Sequence, residues 1–367
     1  MINVAMLWFF LLPIALGAGV WFLKRDRRGS WIYAIAFSVI SMLVITGSFY
    51  GSRSAATADT EIWNGMITAK DRVHGTYEES YECRCRNVTK YRGSGKDRTP
   101  YTDRECDTCY RTHYTVKWDC QSTVGSFRID SADWTNPGVY ALPNPARWTS
   151  IAIGDPAASS HRYTNYVQAV PESLFTPSSP ALKAKFSGLL APYPIDVFDF
   201  YRINRFVTPG FSVPDASQWN SDISNMLRVL GPQKQVNAIV VIAKTDDPNY
   251  EYALRDAWEG ANKNDVVLLI GSKTWPTIDF VRIISWTKNE LFKIELRDAV
   301  MEIATVDRVK IMTALQSQIS KNFERRRMRE FAYLEGQIDP PTWLLTTVFL
   351  LVLAGAGGTW YAIRRNL

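Results

Sequence analysis

Three stretches of the chain, Val4 to Leu23, Trp31 to Tyr50 and Trp343 to Ile363, each run for about twenty residues without a charged side chain. A helix of that length crosses the roughly 30 Å of hydrocarbon in a bilayer, so the pattern predicts three transmembrane helices. Trp8, Trp21, Trp31, Tyr33, Tyr50, Trp343, Trp360 and Tyr361 lie near the ends of the runs, where an amphipathic ring sits among lipid headgroups. Between the second and third runs the period changes twice. Up to about Tyr201 the chain is rich in Thr, Tyr, Val, Arg and turn formers, and alternation in Thr112 to Cys120 puts Tyr114, Val116, Trp118 and Cys120 on one strand face. Beyond Asp215, Trp219, Ile223, Met226, Leu227 and Leu230 recur at helical spacing until Gly231-Pro232.

Apolar strands follow at Val236 to Ala243, Val266 to Gly271 and Ile278 to Trp286, with a helix at Tyr250 to Trp258 between the first two. Further helices are expected at Glu290 to Ile303 and about Asp307 to Leu334. Fully apolar strands in this order predict a sheet covered by helices on both faces. The expected architecture is an α+β membrane protein: a transmembrane hairpin over 1–50, a β-rich domain with a cysteine cluster over 51–205, an α/β/α domain over 206–305, a helical connector over 306–341, and a third transmembrane helix with a tail over 342–367. Residues 51 to 62 are small and polar and read as a linker, with the folded part starting near Ile62. Pro171 to Pro180 reads as a loop or internal boundary.

Charge orients this arrangement. The turn Lys24-Arg25-Asp26-Arg27-Arg28 and the tail Arg364-Arg365 are basic, and short basic loops stay in the cytosol. The N-terminus and the whole of 51 to 341 are therefore expected outside it, in the periplasm or its equivalent. The first run has no basic residue before it, unlike a cleaved signal peptide. Arg325, Arg326, Arg327 and Arg329 read as the solvated face of a helix whose apolar side is Ile319, Phe323, Phe331 and Leu334. The net charge of +6 includes the cytosolic anchors and is no evidence for nucleic acid. The partners implied are membrane lipid and a membrane or envelope protein. Self-association is a further route, since Ala15 with Gly19 and Ala354 with Gly358 have the spacing at which helices approach closely in lipid.

Five cysteines fall close together: Cys83 and Cys85, Cys106 and Cys109, and Cys120. Two close pairs about twenty residues apart have the spacing of a structural four-thiolate zinc site. An oxidising compartment argues instead for disulfides, with Cys83 and Cys85 as strand neighbours pointing the same way and free to take different partners. Cys120 belongs to the apolar face. The basic segment Arg86 to Glu105 holds Gly93-Ser94-Gly95-Lys96, which lacks the spacing of a phosphate-binding loop and reads as a mobile surface loop. His74, His113 and His161 are far apart in sequence and give no local support to a catalytic arrangement. Tyr110, Tyr114, Trp118, Tyr163 and Tyr166 are expected to fill a core.

Val236 to Ile270, with its apolar strand, Tyr252-Ala253, Trp258, the polar turn Gly260 to Asn264 and Asp265-Val266-Val267-Leu268-Leu269-Ile270, resembles the TPM domain over roughly 215–303. The whole arrangement also resembles uncharacterised membrane proteins of tailed phages, which implies a modifier of the host envelope. The TPM resemblance implies a tethered extracytoplasmic domain, and for some members a metal-assisted phosphatase. A strand-helix-strand crossover would leave Asp246 and Asp247 at the carboxyl edge of the sheet, where such sites form, with Asp265 at the far edge. The turn Ser272-Lys273-Thr274-Trp275-Pro276 supplies a positive charge where many TPM domains supply acids, and Ser285-Trp286-Thr287 replaces the usual glycine-rich stretch. Asp246 and Asp247 are thus expected either to hold magnesium or calcium weakly or to cap the following turn, and binding is expected over hydrolysis.

Overall fold

A computed structural model describes residues 4–23, 30–93, 98–134, 142–170, 179–198 and 202–365. The basic turn 24–28, most of the glycine-lysine tip at 93–96 and most of the 171–180 segment lie outside the described residues. The chain begins with α1 (Val4–Leu23) and α2 (Ser30–Ala56). A first antiparallel sheet contains β1 (Ala58–Arg92), β2 (Thr99–Ser122), β3 (Gly125–Trp134) and β4 (Pro156–Thr164), in the order β3-β2-β1-β4, with the short α3 (Ala146–Ser150) before β4. The short α4 (Tyr166–Ala169) and α5 (Pro180–Phe186) lead to the second sheet. That sheet is built from β5 (Phe206–Val207), β6 (Asn237–Ala243), β7 (Asp265–Gly271) and β8 (Phe280–Ser285), with α6 (Ala216–Lys234) between β5 and β6 and α7 (Tyr250–Ala257) between β6 and β7. After it come α8 (Leu291–Met301), α9 (Arg308–Asn322), a 3-10 segment (Met328–Gln337) and α10 (Thr342–Arg365).

Among the described residues, α2 and α10 are long and apolar enough to cross a membrane. Phe37, Ile45 and Phe49 of α2 pack against Val348, Val352 and Ala356 of α10, and Phe9, Leu12 and Leu16 of α1 close the bundle. The close approaches use other small residues than the spacing suggests. A Cβ on Gly17 would strike Ser38, and one on Gly355 would lie 3.1 Å from Phe37, whereas one on Gly19 or Gly358 would meet nothing within 4 Å.

The linker expected at 51–62 is absent. Ser52, Ala55 and Ala56 do not break a helix, so α2 runs on to Ala56 and Thr57 ends it by donating from its N and Oγ1 to the Arg53 carbonyl, at 3.0 and 2.9 Å. β1 then starts at Ala58. Arg53 also pairs with Glu335 at 2.8 Å, tying the helix end to the 3-10 segment before α10.

In the second sheet β6 and β7 run parallel and β8 is antiparallel to β7. Alternate residues of the fully buried β6 face two cores. Ala238, Val240 and Ile242 meet Ile223 and Leu227 of α6, with Phe292 of α8 and Leu315 of α9 in the same core. Ile239, Val241 and Ala243 meet Phe186 of α5 and Tyr250 and Leu254 of α7. Helices therefore cover both faces, as the continuous apolar strands imply. The long helix expected over Asp307 to Leu334 is instead broken. α9 stops at Asn322, and Phe323 turns extended (φ −72°, ψ 127°). The Glu324 carbonyl accepts from Thr287 Oγ1 at 3.0 Å and from the Lys288 backbone N at 2.9 Å. Leaving the helix buries Phe323 edge-on to Phe292 and sends Arg325 inward rather than onto a solvated face.

Candidate functional site

The alternation of Val116, Trp118 and Cys120 buries them with Ile67, Trp148, Ile151 and Ala157, as the strand pattern predicts. That core ends where β3 ends, because the last β2–β3 pair is Tyr114 with Trp134. β1 and β2 continue past it as a two-stranded arm, Thr76 to Arg92 against Thr99 to Tyr114. At about 3.3 Å per residue the arm reaches roughly 55 Å. None of its described side chains is buried. The segment Arg86 to Glu105, expected as a mobile loop, is mostly paired strand, from Arg86 with Glu105 to Arg92 with Thr99. Alternating β-branched and aromatic residues such as Val88, Thr89, Tyr91, Tyr101 and Thr102 carry the pairing through it.

An isolated two-stranded ribbon is marginal in water, and this one is stapled twice. Cys83 bonds to Cys109 and Cys85 to Cys106. Cys106 and Cys109, three apart in one strand, lie on opposite faces. Cys83 and Cys85 would share a face in a regular strand, as expected from sequence, but a bulge at Arg84 (φ +47°) sets Arg84 and Cys85 against the single residue Cys106. The bulge turns Cys85 over, so each face of the arm receives one disulfide. In this structure the four sulfurs are paired with each other, the disulfide arrangement of the two that the spacing allows. Glu82, Cys85 and Cys106 bring ligand atoms within 4.8 Å of one another, yet two of the three are bonded together. Cys120 is a buried free thiol, pushed up in pKa by burial.

The arm's surface is aromatic and charged. Tyr91 and Tyr110 are 63% and 66% exposed, and Tyr77, Tyr81 and Tyr101 are exposed as well. Tyr110 is thus not part of a core, although Trp118 and the half-buried Tyr163 and Tyr166 are. Tyr77 stacks on His113, which meets Glu79 at 2.7 Å, and Arg111 lies over Tyr81. Lys90 bridges Asp103 at 2.6 Å and Glu105 at 3.0 Å.

Where β1 meets the second sheet, sequence reasoning missed a buried polar seam. Arg205 donates to Asn64 Oδ1 at 2.5 Å and to Asn237 Oδ1 at 3.1 Å, and Asn237 Nδ2 donates to Asp265 Oδ1 at 2.9 Å. Asp265 Oδ2 accepts from Tyr193 at 2.6 Å and from the Asn262 backbone at 2.8 Å. Burial pushes Asp265 up to about 6 despite these donors, and pushes Arg205 down to about 10. Beside it, Glu61, 1% exposed, accepts from Arg325 Nη2 at both of its carboxylate oxygens, at 2.6 and 2.7 Å. The signal available in sequence was a polar residue, Asn237 or Asp265, opening an otherwise wholly apolar strand. Polar groups this deep survive only when paired, and here the pairing joins the two sheets.

At the other end of β6 and β7, Asp246 and Asp247 stand at the carboxyl edge and Asp265 at the far edge, as the crossover requires. Asp246 meets Lys273 at 2.7 Å, and Asp247 meets Lys185 at 2.5 Å. Hydrogen bonds from these lysines hold both carboxyls below their ordinary range. Asp247 Oδ1 also accepts from the Asn249 backbone N at 2.9 Å, an Asx turn leading into α7. His161 stacks on Trp63 while His113 lies on the arm, so these histidines are not brought together. No protein family, curated protein or solved structure matches the chain.

Proposed function

We propose that the chain is a membrane-anchored binding module, in which three spans hold residues 51–341 outside the cytosol and the stapled arm presents the binding surface. The observation that carries this reading is an arm with no buried side chain, two disulfides and five exposed tyrosines. Crosslinks that serve no core serve to hold a surface in shape. Tyrosine gives large contact area with few rotatable bonds, and is enriched where proteins bind one another. Disulfides persist outside the cytosol, which agrees with the orientation given by the basic turn and tail. The likeness to TPM domains over 215–303 adds the expectation of a tethered extracytoplasmic unit.

The test is capture of partners by the full chain from membranes in mild detergent, read by mass spectrometry. Tyr81→Ala with Tyr110→Ala should lose a protein that the parent captures; identical captures from both would refute the arm as the binding surface. A reporter active only outside the cytosol, fused after Gly51, checks the compartment, and silence there would refute it. The alternative, a metal-assisted phosphatase, requires Asp246 and Asp247 to exchange their lysines for a cation. Phosphate-ester turnover with magnesium, calcium or manganese that vanishes in the double Asp→Asn variant would establish it instead.

A further inference from the structure

Among the described residues, the arm has two open edges. β1 pairs with β4 only from Ala58 to Met66, and β2 pairs with β3 only from Tyr114 onward. Among the described residues, no backbone hydrogen bond reaches the outer edge of β1 between Gly75 and Arg92. Such a row of unused N–H and C=O groups is a template for another strand. Charged side chains on an edge ordinarily keep a second strand away. On β1 the signs are ordered: Glu78, Glu79 and Glu82 precede the bulge, and Arg84, Arg86, Lys90 and Arg92 begin at it and follow it. Of these, Glu78, Glu82, Arg84, Arg86 and Arg92 make no ion pair among the described residues.

We infer that the β1 edge of the arm pairs antiparallel with the same edge of a second copy of this chain, joining the two arms into one four-stranded sheet. This rests on the arm being the binding surface. A strand whose acidic residues precede its basic ones opposes no like charges when paired with itself reversed, whereas a parallel in-register pairing sets acid on acid and base on base. The bulge limits the register. It shifts side-chain parity by one, so faces match across a two-fold axis only when an odd-numbered residue before it lies beside an even-numbered one after it.

Of the registers this allows, the one centred between Arg84 and Cys85 sets Glu79 beside the second copy's Lys90, Tyr77 beside its Arg92 and Tyr81 beside its Val88 on one face. On the other face Glu78 lies beside Tyr91, Ser80 beside Thr89 and Glu82 beside Asn87. No like charges are directly opposed. The β2 edge lacks this order, because Asp103, Glu105 and Asp107 share a face with Arg111 as their one cation, and Pro100 has no N–H to donate. Two chains held in one membrane also meet at raised effective concentration.

The experiment replaces exposed Tyr81 with a photo-reactive benzoyl-phenylalanine in the full chain, illuminates intact membranes, and maps the crosslinks by mass spectrometry. The expected product is a dimer linked from position 81 to the second copy between Arg86 and Lys90. Thiol titration showing one free thiol, that of Cys120, verifies that the arm is closed in the labelled protein. With the arm closed, absence of a crosslinked dimer, or linkage to another part of the second copy, overturns the inference. A crosslink to a different protein overturns it too, but leaves the arm a binding surface; no crosslink to any protein counts against both.

Discussion

Removing the staples should unravel the arm and leave the body folded, which separates a surface held by crosslinks from one held by a core. The perturbation is Cys83→Ser with Cys109→Ser and Cys85→Ser with Cys106→Ser. The two bonds close loops of 26 and 21 residues of sequence separation, and a loop of that size constrains the unfolded chain by about 3 to 4 kcal/mol. The second bond is nested within the first and adds less. Against this the arm offers ladder hydrogen bonds and surface pairs but no buried side chain, and a two-stranded ribbon without a core sits near zero net stability in water. Losing several kcal/mol therefore exceeds what the arm holds. The core of Ile67, Val116, Trp118, Cys120 and Trp148 lies beyond the last staple and should change by less than about 0.5 kcal/mol. Hydrogen exchange on the full chain in detergent reads both parts together. Amides of 76–92 and 99–114 should lose protection while those of β6 and β7 keep it. Loss of protection in β6 and β7, or full retention in the arm, would refute the reasoning.

Three further outcomes follow from the seam and the close contacts. Arg325→Ala leaves the Glu61 carboxylate buried with Lys263 and His161 no nearer than 3.6 and 3.7 Å, so it should cost about 3 kcal/mol or more; Glu61→Gln combined with it should cost less than the two single changes added, and additive losses in denaturant unfolding would show that the pair is not coupled. Asp265 has its folded pKa raised by burial to about 6, so the native state holds the proton more tightly than the unfolded chain. Its contribution is greatest below the unfolded value and falls as pH rises from roughly 4 to roughly 6, by at most about 3 kcal/mol. The difference in thermal midpoint between the parent and Asp265→Asn across that window checks it, and a constant difference would count against it. Gly231→Ala places a Cβ against the Asn64 backbone where α6 meets β1, and should destabilise by about 1 to 3 kcal/mol; an unchanged melting curve would mean that the two elements separate freely.

The sequence by itself determined what repeats with a local period. Continuous apolar runs mark α1, α2, α10, β6 and β7; β6 and β7 lack a polar face because both of their faces are buried. Alternation marks Val116, Trp118 and Cys120, because a strand turns every second residue to the core. The crossover from β6 to β7, and with it the opposite placement of Asp246 and Asp265, follows from the handedness of the connection. Tertiary structure decided whatever depends on a partner distant in sequence. Glu61 and Arg325 look like surface charges until a break in the helix after Asn322 brings them together. Cys83 and Cys85 are placed on opposite faces by one bulge residue, Arg84, which carries no recognisable turn signature. The outer part of the arm, Arg86 to Glu105, reads as a loop because a polar, charged ribbon has neither a buried face nor a periodic one, and its strands exist through each other and through two disulfides whose pairing is a fact of space.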